Sequence, residues 1–121
     1  MATRERRVTR RSDFERLTQK GRSWANRLLV LKALPNSLPL TRYGFSVSRA
    51  IGNAVSRNRV KRRLRELTRE RRVRSGWDIL IVARGPIAES KFEDIDRALA
   101  QLLRQSKLSE GEREEIVTKA D

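Results

Sequence analysis

The chain contains neither cysteine nor histidine. Without thiols there is no disulfide, thiolate zinc site or cysteine nucleophile, and without imidazole the commonest general base near neutral pH is missing. A cysteine-free chain fits a reducing compartment, and the expected location is the cytoplasm. Acidic residues are scarce: 15 Asp and Glu face 29 Lys and Arg, a net charge of +14 over 121 residues. Hydrophobic residues make up 37% and aromatic residues only 5%. Long apolar runs are also missing. LLVLKAL at 28–34 falls well short of the ~20 residues of a membrane helix, and it lies too deep in the chain for a secretory signal. The expected molecule is a soluble single domain drawn to polyanions, with nucleic acid the first candidate and an anionic membrane surface the second.

The charge is unevenly spread. Residues 1–74 carry 22 basic and 5 acidic side chains, whereas residues 75–121 carry 7 and 10. MATRERRVTRR at 1–11 reads as a flexible basic arm and the polar stretch 109–121 as an acidic tail, leaving 12–108 as the folded domain. Ser12 with Glu15 spells a capping box for a helix over 13–20 that stops at Gly21. A strand is expected over 24–34, a turn at 35–39, and a second strand over 41–48. In that second strand Tyr43, Phe45 and Val47 alternate with Gly44, Ser46 and Ser48, so its small-residue face is shallow. WDILIVAR at 77–84 is apolar on both faces, which predicts a central, covered strand. Ser90 and Glu93 form another capping box, ahead of a helix with Phe92, Ile95, Leu99, Leu102 and Leu103 at helical spacing. The pattern predicts an α+β fold: a single-domain α/β sandwich, one sheet of about four strands with helices packed against it.

Between the second and third strands runs GNAVSRNRVKRRLRE, 52–66, continuing into further arginines. At about 100° per residue, Val60, Leu64 and Leu67 fall on one stripe. Lys61, Arg72, Arg65, Asn58, Arg69 and Arg62 cover the opposite arc, with Arg57 bordering the stripe and Arg59 and Arg63 flanking its other edge. Ten cations lie between Arg57 and Arg74, and Glu66 and Glu70 are too few to compensate them through i,i+4 pairs. An arc of guanidinium forks pairs with phosphate oxygens, so the helix reads as a nucleic-acid-binding surface rather than a merely solvated face. These residues alone leave RNA and DNA both open.

No catalytic constellation is found. Asp94 and Asp96 diverge on a helix, Ser46 and Ser48 have no histidine, and no Gly-rich phosphate loop or metal-ligand spacing occurs. No catalytic residue and no protein metal site are expected, and any reaction must draw its chemistry from elsewhere.

The stretch 52–66 resembles the signature of the protein subunit of bacterial ribonuclease P, a family built around Arg-Asn-Arg, here Arg57, Asn58 and Arg59. The likeness extends to Phe14 with Gly21 seven residues on, to Gly44–Ser48 ahead of Gly52–Val55, and to Asp78–Arg84. It spans roughly residues 8–108. The resemblance implies a partner RNA that is itself the catalyst and uses Mg²⁺ to remove the 5′ leader of precursor tRNA. It implies no cofactor bound by the protein alone, no membrane and no small-molecule substrate. Catalytic-RNA contacts would fall to Arg57, Asn58, Arg59, Arg62, Arg63, Arg65 and Arg69. A leader cleft would be made by Phe14, Leu17, Ser46, Arg57, Asn58, Lys61 and Arg65. The family fold also carries a left-handed βαβ crossover around the basic helix, against the usual hand. Thr18 and Lys32 stand where members often have aromatics, and Ala50 interrupts a usual basic pair, so leader stacking would be weaker and more electrostatic. A ribosomal-type structural RNA-binding protein shares the charge and the missing active site and is the main alternative. A DNA-binding helical module and a protein-only nuclease follow.

Overall fold

The alternating and doubly apolar segments assemble into one four-stranded sheet. The structure, a computed structural model, describes residues 7–110. The chain runs α1 (Arg11–Lys20), β1 (Arg22–Ala25), β2 (Leu29–Pro35), β3 (Arg42–Ser46), α2 (Ala54–Arg69), β4 (Trp77–Ala83) and α3 (Phe92–Gln105). The strand order is β1-β2-β4-β3. β1 pairs antiparallel with β2 and β2 with β4, while β3 and β4 are parallel neighbours joined through α2. The doubly apolar segment is the inner strand β4, as its composition predicts. The architecture is the expected α+β arrangement of one sheet with helices against it.

Each face of the sheet is covered by different helices. Leu29, Leu31 and Ala33 of β2, with Ile79, Ile81 and Ala83 of β4, join Val60, Leu64 and Leu67 of α2 and Ile95, Leu99, Leu102 and Leu103 of α3 in the main core. Leu80 of β4 faces the other way, where it packs with Leu17 of α1 and with Val8. The stripe read from the helical period is therefore the stripe that is buried, and it fixes the rotation of α2.

Several local expectations are corrected. The segment 24–34 is two strands of a hairpin, because Asn26 turns the chain: its Oδ1 accepts from the amides of Leu28 (3.2 Å) and Leu29 (3.0 Å). The Asn26 amide then donates to the Ala98 carbonyl (3.0 Å) and to Gln101 (2.8 Å), tying the hairpin to α3. Ser12 lies inside α1, whose N-cap is Arg10, and neither Ser12 nor Arg10 makes a side-chain cap. Ser90 likewise does not cap α3; its hydroxyl donates to the Pro86 carbonyl (2.9 Å), closing a 3-10 turn, and α3 starts from Lys91. Phe92 is 39% exposed and lies outside the α3 core stripe. Asn53 caps α2 by accepting from the Ser56 amide (2.9 Å). The stop at Gly21 holds for a steric reason as well, since a Cβ there would sit 2.6 Å from the Leu17 carbonyl oxygen.

The boundary expected at residue 12 moves toward the N-terminus. Val8 is buried and its amide donates to the Tyr43 carbonyl (2.8 Å), so residues 7 and 8 extend the sheet along the open edge of β3. An open strand edge offers unpaired backbone groups, and residues 7 and 8 meet them at Tyr43. Residues 1–6 of the expected arm lie outside the described residues. At the other end Ser109 bridges to Val73, and the rest of the expected tail, 111–121, also lies outside them.

Candidate nucleic-acid interface

With Val60, Leu64 and Leu67 buried, the rest of α2 is turned outward. Asn58, Arg59, Arg62 and Arg69 are exposed, while Arg57, Lys61, Arg63 and Arg65 are half-buried. Arg57 is partly tied down, its Nε donating to the Gly52 carbonyl (3.1 Å) at the mouth of the helix. Among the described residues no ion pair joins any of these cations to a carboxylate; the pairs present involve Arg11, Arg42, Arg71 and Arg97. A helix holding this much positive charge without internal compensation is built to meet an external polyanion.

Arg65 is the exception on the arc. Its Nε is shut off from solvent and has no hydrogen-bond partner. Burial and the charge of Arg7 both pull its pKa below the ordinary guanidinium value. It faces a cavity lined also by Tyr43, Phe45 and Arg7, on the side of β3 opposite Phe14. Arg65 therefore does not share a face with Phe14, as a single cleft would require.

The α1 side of the sheet holds Phe14, Leu17 and Ser46 of the residues expected at a cleft, while Arg57, Asn58 and Lys61 belong to α2. Leu17 is 0% exposed and belongs to the core, so it cannot form a floor. Phe14 is half-buried, and its ring lies over Gly44, where a Cβ would come within 2.9 Å of it. The shallow strand face read from the sequence is thus filled at Gly44 by the chain's own phenylalanine. Ser46 stays exposed at the end of β3. Lys32 pairs in register with Leu80, which puts its cation on this same face. Thr18 spends its hydroxyl on the Phe14 carbonyl (2.9 Å). This face offers one aromatic ring, a lysine and a serine, a surface suited to a single strand with little stacking.

What holds α1 in place was not visible in any motif. Asp78 of β4, 5% exposed, accepts from Arg42 Nε (2.8 Å) and a terminal guanidinium nitrogen (2.7 Å), and from the Asn36 amide (2.9 Å). The same guanidinium reaches Asp13 of α1 at 3.5 Å. Hydrogen bonding to Asp78 raises the Arg42 pKa, outweighing its burial. Arg7 and Tyr43 are further residues beside the arc that sequence reading missed, and Arg72, expected on the arc, lies past the end of α2. Tyr43 read as core by its alternation, and Arg7 as part of an arm.

Tyr43 is the only tyrosine in the chain, which makes its titration directly observable. Its hydroxyl is buried without a partner. Burial raises its pKa above the ordinary value, with the nearby charge of Arg71 pulling the other way. Well below about pH 10 the phenol is neutral in both folded and unfolded chains. Above it the unfolded chain ionises first, so this group's contribution to stability falls as pH climbs from there toward the folded pKa. In an ultraviolet titration the native protein is expected to show no tyrosinate at about pH 10, where the denatured chain is half-ionised. A native midpoint equal to the denatured one would mean that the hydroxyl is in water.

Among the described residues no group of three His, Cys, Asp or Glu could hold a metal ion, and no helix is long and apolar enough to cross a membrane. The family model described as Ribonuclease P matches residues 2–107. The ribonuclease P protein component of Dehalococcoides mccartyi is 41% identical over 115 residues, covering 95% of this chain and 96% of the relative. The solved RNase P protein of Staphylococcus aureus superposes with a TM-score of 0.80 at 33% identity, covering 87% of this chain and 98% of that one. The protein from Thermotoga maritima gives 0.76 at 28% identity, covering 82% and 96%. The likeness therefore takes in both the cationic helix and the sheet that carries it.

Proposed function

The chain belongs to the ribonuclease P protein family, and on that premise we propose that α2 docks on the catalytic RNA while the α1 face of the sheet receives the precursor-tRNA leader. The function is that of the family: to assist removal of the 5′ leader that yields the mature tRNA end. The observation that carries the docking assignment is the cationic side of α2, which no carboxylate among the described residues pairs, held outward by the buried Val60–Leu64–Leu67 stripe. Arg59, Arg62, Arg63 and Arg69 supply guanidinium forks for phosphates of the catalytic RNA. Arg57, Asn58 and Lys61, on the first turns of the helix, are assigned to the leader in this reading. Arg57 is pre-set for this by its bond to Gly52, which removes freedom that binding would otherwise have to remove. Arg65 reaches RNA from the Tyr43 side of the sheet, not from the Phe14 side. Phe14, Ser46 and Lys32 form the leader surface, with Leu17 acting beneath it as packing.

The protein contributes position and charge. Mg²⁺ belongs to the RNA-containing holoenzyme and supplies the hydrolytic chemistry there; the protein holds no metal of its own in this reading. Cations on α2 lower the repulsion between two RNAs brought together, so less Mg²⁺ is needed to hold the substrate. The cellular setting is the cytoplasm, where tRNA precursors and the catalytic RNA are found.

The test is cleavage of a precursor tRNA by the catalytic RNA at low Mg²⁺, with and without the protein. Cleavage is expected to rise when protein is added, and the gain to shrink for a substrate whose leader is trimmed away. No gain at any Mg²⁺ concentration would leave a structural RNA-binding protein as the better reading. For ~6–10 phosphate contacts, affinity for the catalytic RNA is expected to fall about 10³–10⁵-fold between roughly 50 and 200 mM salt.

A further inference from the structure

On the face of the sheet turned away from α1, between β3 and the C-terminal half of α2, lies a half-open cavity of about 540 Å³. Tyr43 and Phe45 stack within it, centroids 6.1 Å apart and planes 9° from parallel. Arg7, Arg65, Arg69 and Arg72 line it, and no carboxylate among the described residues pairs with these four. Arg71 also lines it but is held by Asp96, and Glu110 is the one carboxylate among the described lining residues. Two donors in the lining, Tyr43 Oη and Arg65 Nε, are buried without an acceptor. Buried polar groups nearly always have partners, so two orphaned donors on residues that line one cavity point to an acceptor that reaches them when the site is occupied.

We propose that this cavity is a binding site for one nucleotide unit, its phosphate held by Arg65, Arg7 and Arg72 and its base lodged against the Tyr43–Phe45 side. Phosphate oxygens accept from guanidinium forks and from a phenol, the donors left over here. An inorganic anion would satisfy these donors and leave the apolar wall of Leu40 and Val73 unused. A duplex is too wide to enter, whereas the volume lies within the ~300–1,000 Å³ of small-ligand sites. Desolvation and the charge of Arg7 already destabilise the Arg65 cation, and a phosphate relieves both. The unit has two sources with one chemistry, a free mononucleotide or an unpaired nucleotide of a bound RNA. The second source rests on the RNA-docking reading above, and the first does not.

The experiment is calorimetric titration of the full chain with adenosine monophosphate, adenosine, inorganic phosphate and a short single-stranded oligoadenylate. Wild type is compared with Tyr43→Phe, Arg65→Gln and, as a charge-matched control on the β1–β2 turn, Arg27→Gln. The monophosphate is expected to bind one per chain, about tenfold tighter than either adenosine or phosphate. Arg65→Gln should weaken it about tenfold and Tyr43→Phe several-fold, with Arg27→Gln unchanged. Should the free monophosphate not bind while the oligonucleotide shows the same dependence on Tyr43 and Arg65, the RNA-borne source is the one used. The site is overturned when neither ligand loses more affinity through Tyr43→Phe and Arg65→Gln than through Arg27→Gln. Tyr43→Phe removes a single buried oxygen and keeps the ring, so it carries the test even where Arg65→Gln impairs folding. Cleavage at low Mg²⁺ by the wild-type protein reports the family function separately, so failure of either reading is seen without the other.

Discussion

Replacing Asp78 by alanine is expected to destabilise the domain by about 3–5 kcal/mol, because it strands a partly buried charge. The guanidinium of Arg42 is only 21% exposed and loses the carboxylate that takes two of its donors. Asn36 loses the same acceptor, although its amide keeps a second one in the Leu40 carbonyl. The remaining carboxylate near Arg42 is Asp13 at 3.5 Å, too distant to replace a bidentate pair. Native domains hold only about 5–15 kcal/mol in total, so a loss of this size lowers Tm by roughly 15–30 °C. The effect extends to function because the network joins β4, β3, the loop after β2 and α1. With Arg42 unmoored, Asp13 no longer anchors α1, and Phe14 loses its seat over Gly44. Thermal or urea melts of Asp78→Ala, with Asp78→Leu/Arg42→Met as the charge-free partner, check this. The double variant is expected to recover part of the loss, since the Arg42 cation is no longer stranded, although Asp13 still loses its partner. A Tm shift of only a few degrees for the single variant would show the network to be dispensable.

The second large effect is on α2. Leu64→Ala is expected to cost about 2–5 kcal/mol, the range for emptying a fully buried leucine site. Leu64 is 0% exposed and sits between Val60 and Leu67 in the main core, so there is little room for neighbours to close the void. Its neighbour Arg65→Ala should leave the fold in place while weakening RNA affinity and lowering the salt slope by about one. The contrast is informative because the two residues are adjacent in sequence yet lie on different sides of the helix. Melts and salt-dependent RNA affinity on both variants check it. Equal loss of fold in both would show that the stripe and the arc have been assigned to the wrong sides.

The expectations that held were mostly those set by local geometry. A helical period of 3.6 residues puts Val60, Leu64 and Leu67 on one line wherever the helix docks, and the cations must then lie elsewhere. The doubly apolar segment at 77–84 could only be an inner strand. Capping was less legible: Ser12 and Ser90 matched a motif that competing local bonds and an earlier helix start displaced. Leu17 was expected at a cleft and is in the core, because an aliphatic side chain one turn from Phe14 gains more from packing on Leu80 than from facing solvent.

By itself the sequence determined the strong positive charge, its concentration in residues 1–74 and the division of α2 into a buried stripe and a cationic side. Those follow from side-chain inventory and helix periodicity, which need no knowledge of distant residues. Only the tertiary structure decided the rest. Asn26 turns a hairpin whose second anchor is Ala98, 72 residues away. Arg7 and Val8 join the edge of β3, Asp78 ties β4 through Arg42 to α1, and Arg65 meets Tyr43 across a cavity. Each of these depends on a contact between segments far apart in the chain, and the free energy of such contacts is settled by the whole packed arrangement rather than by any local pattern.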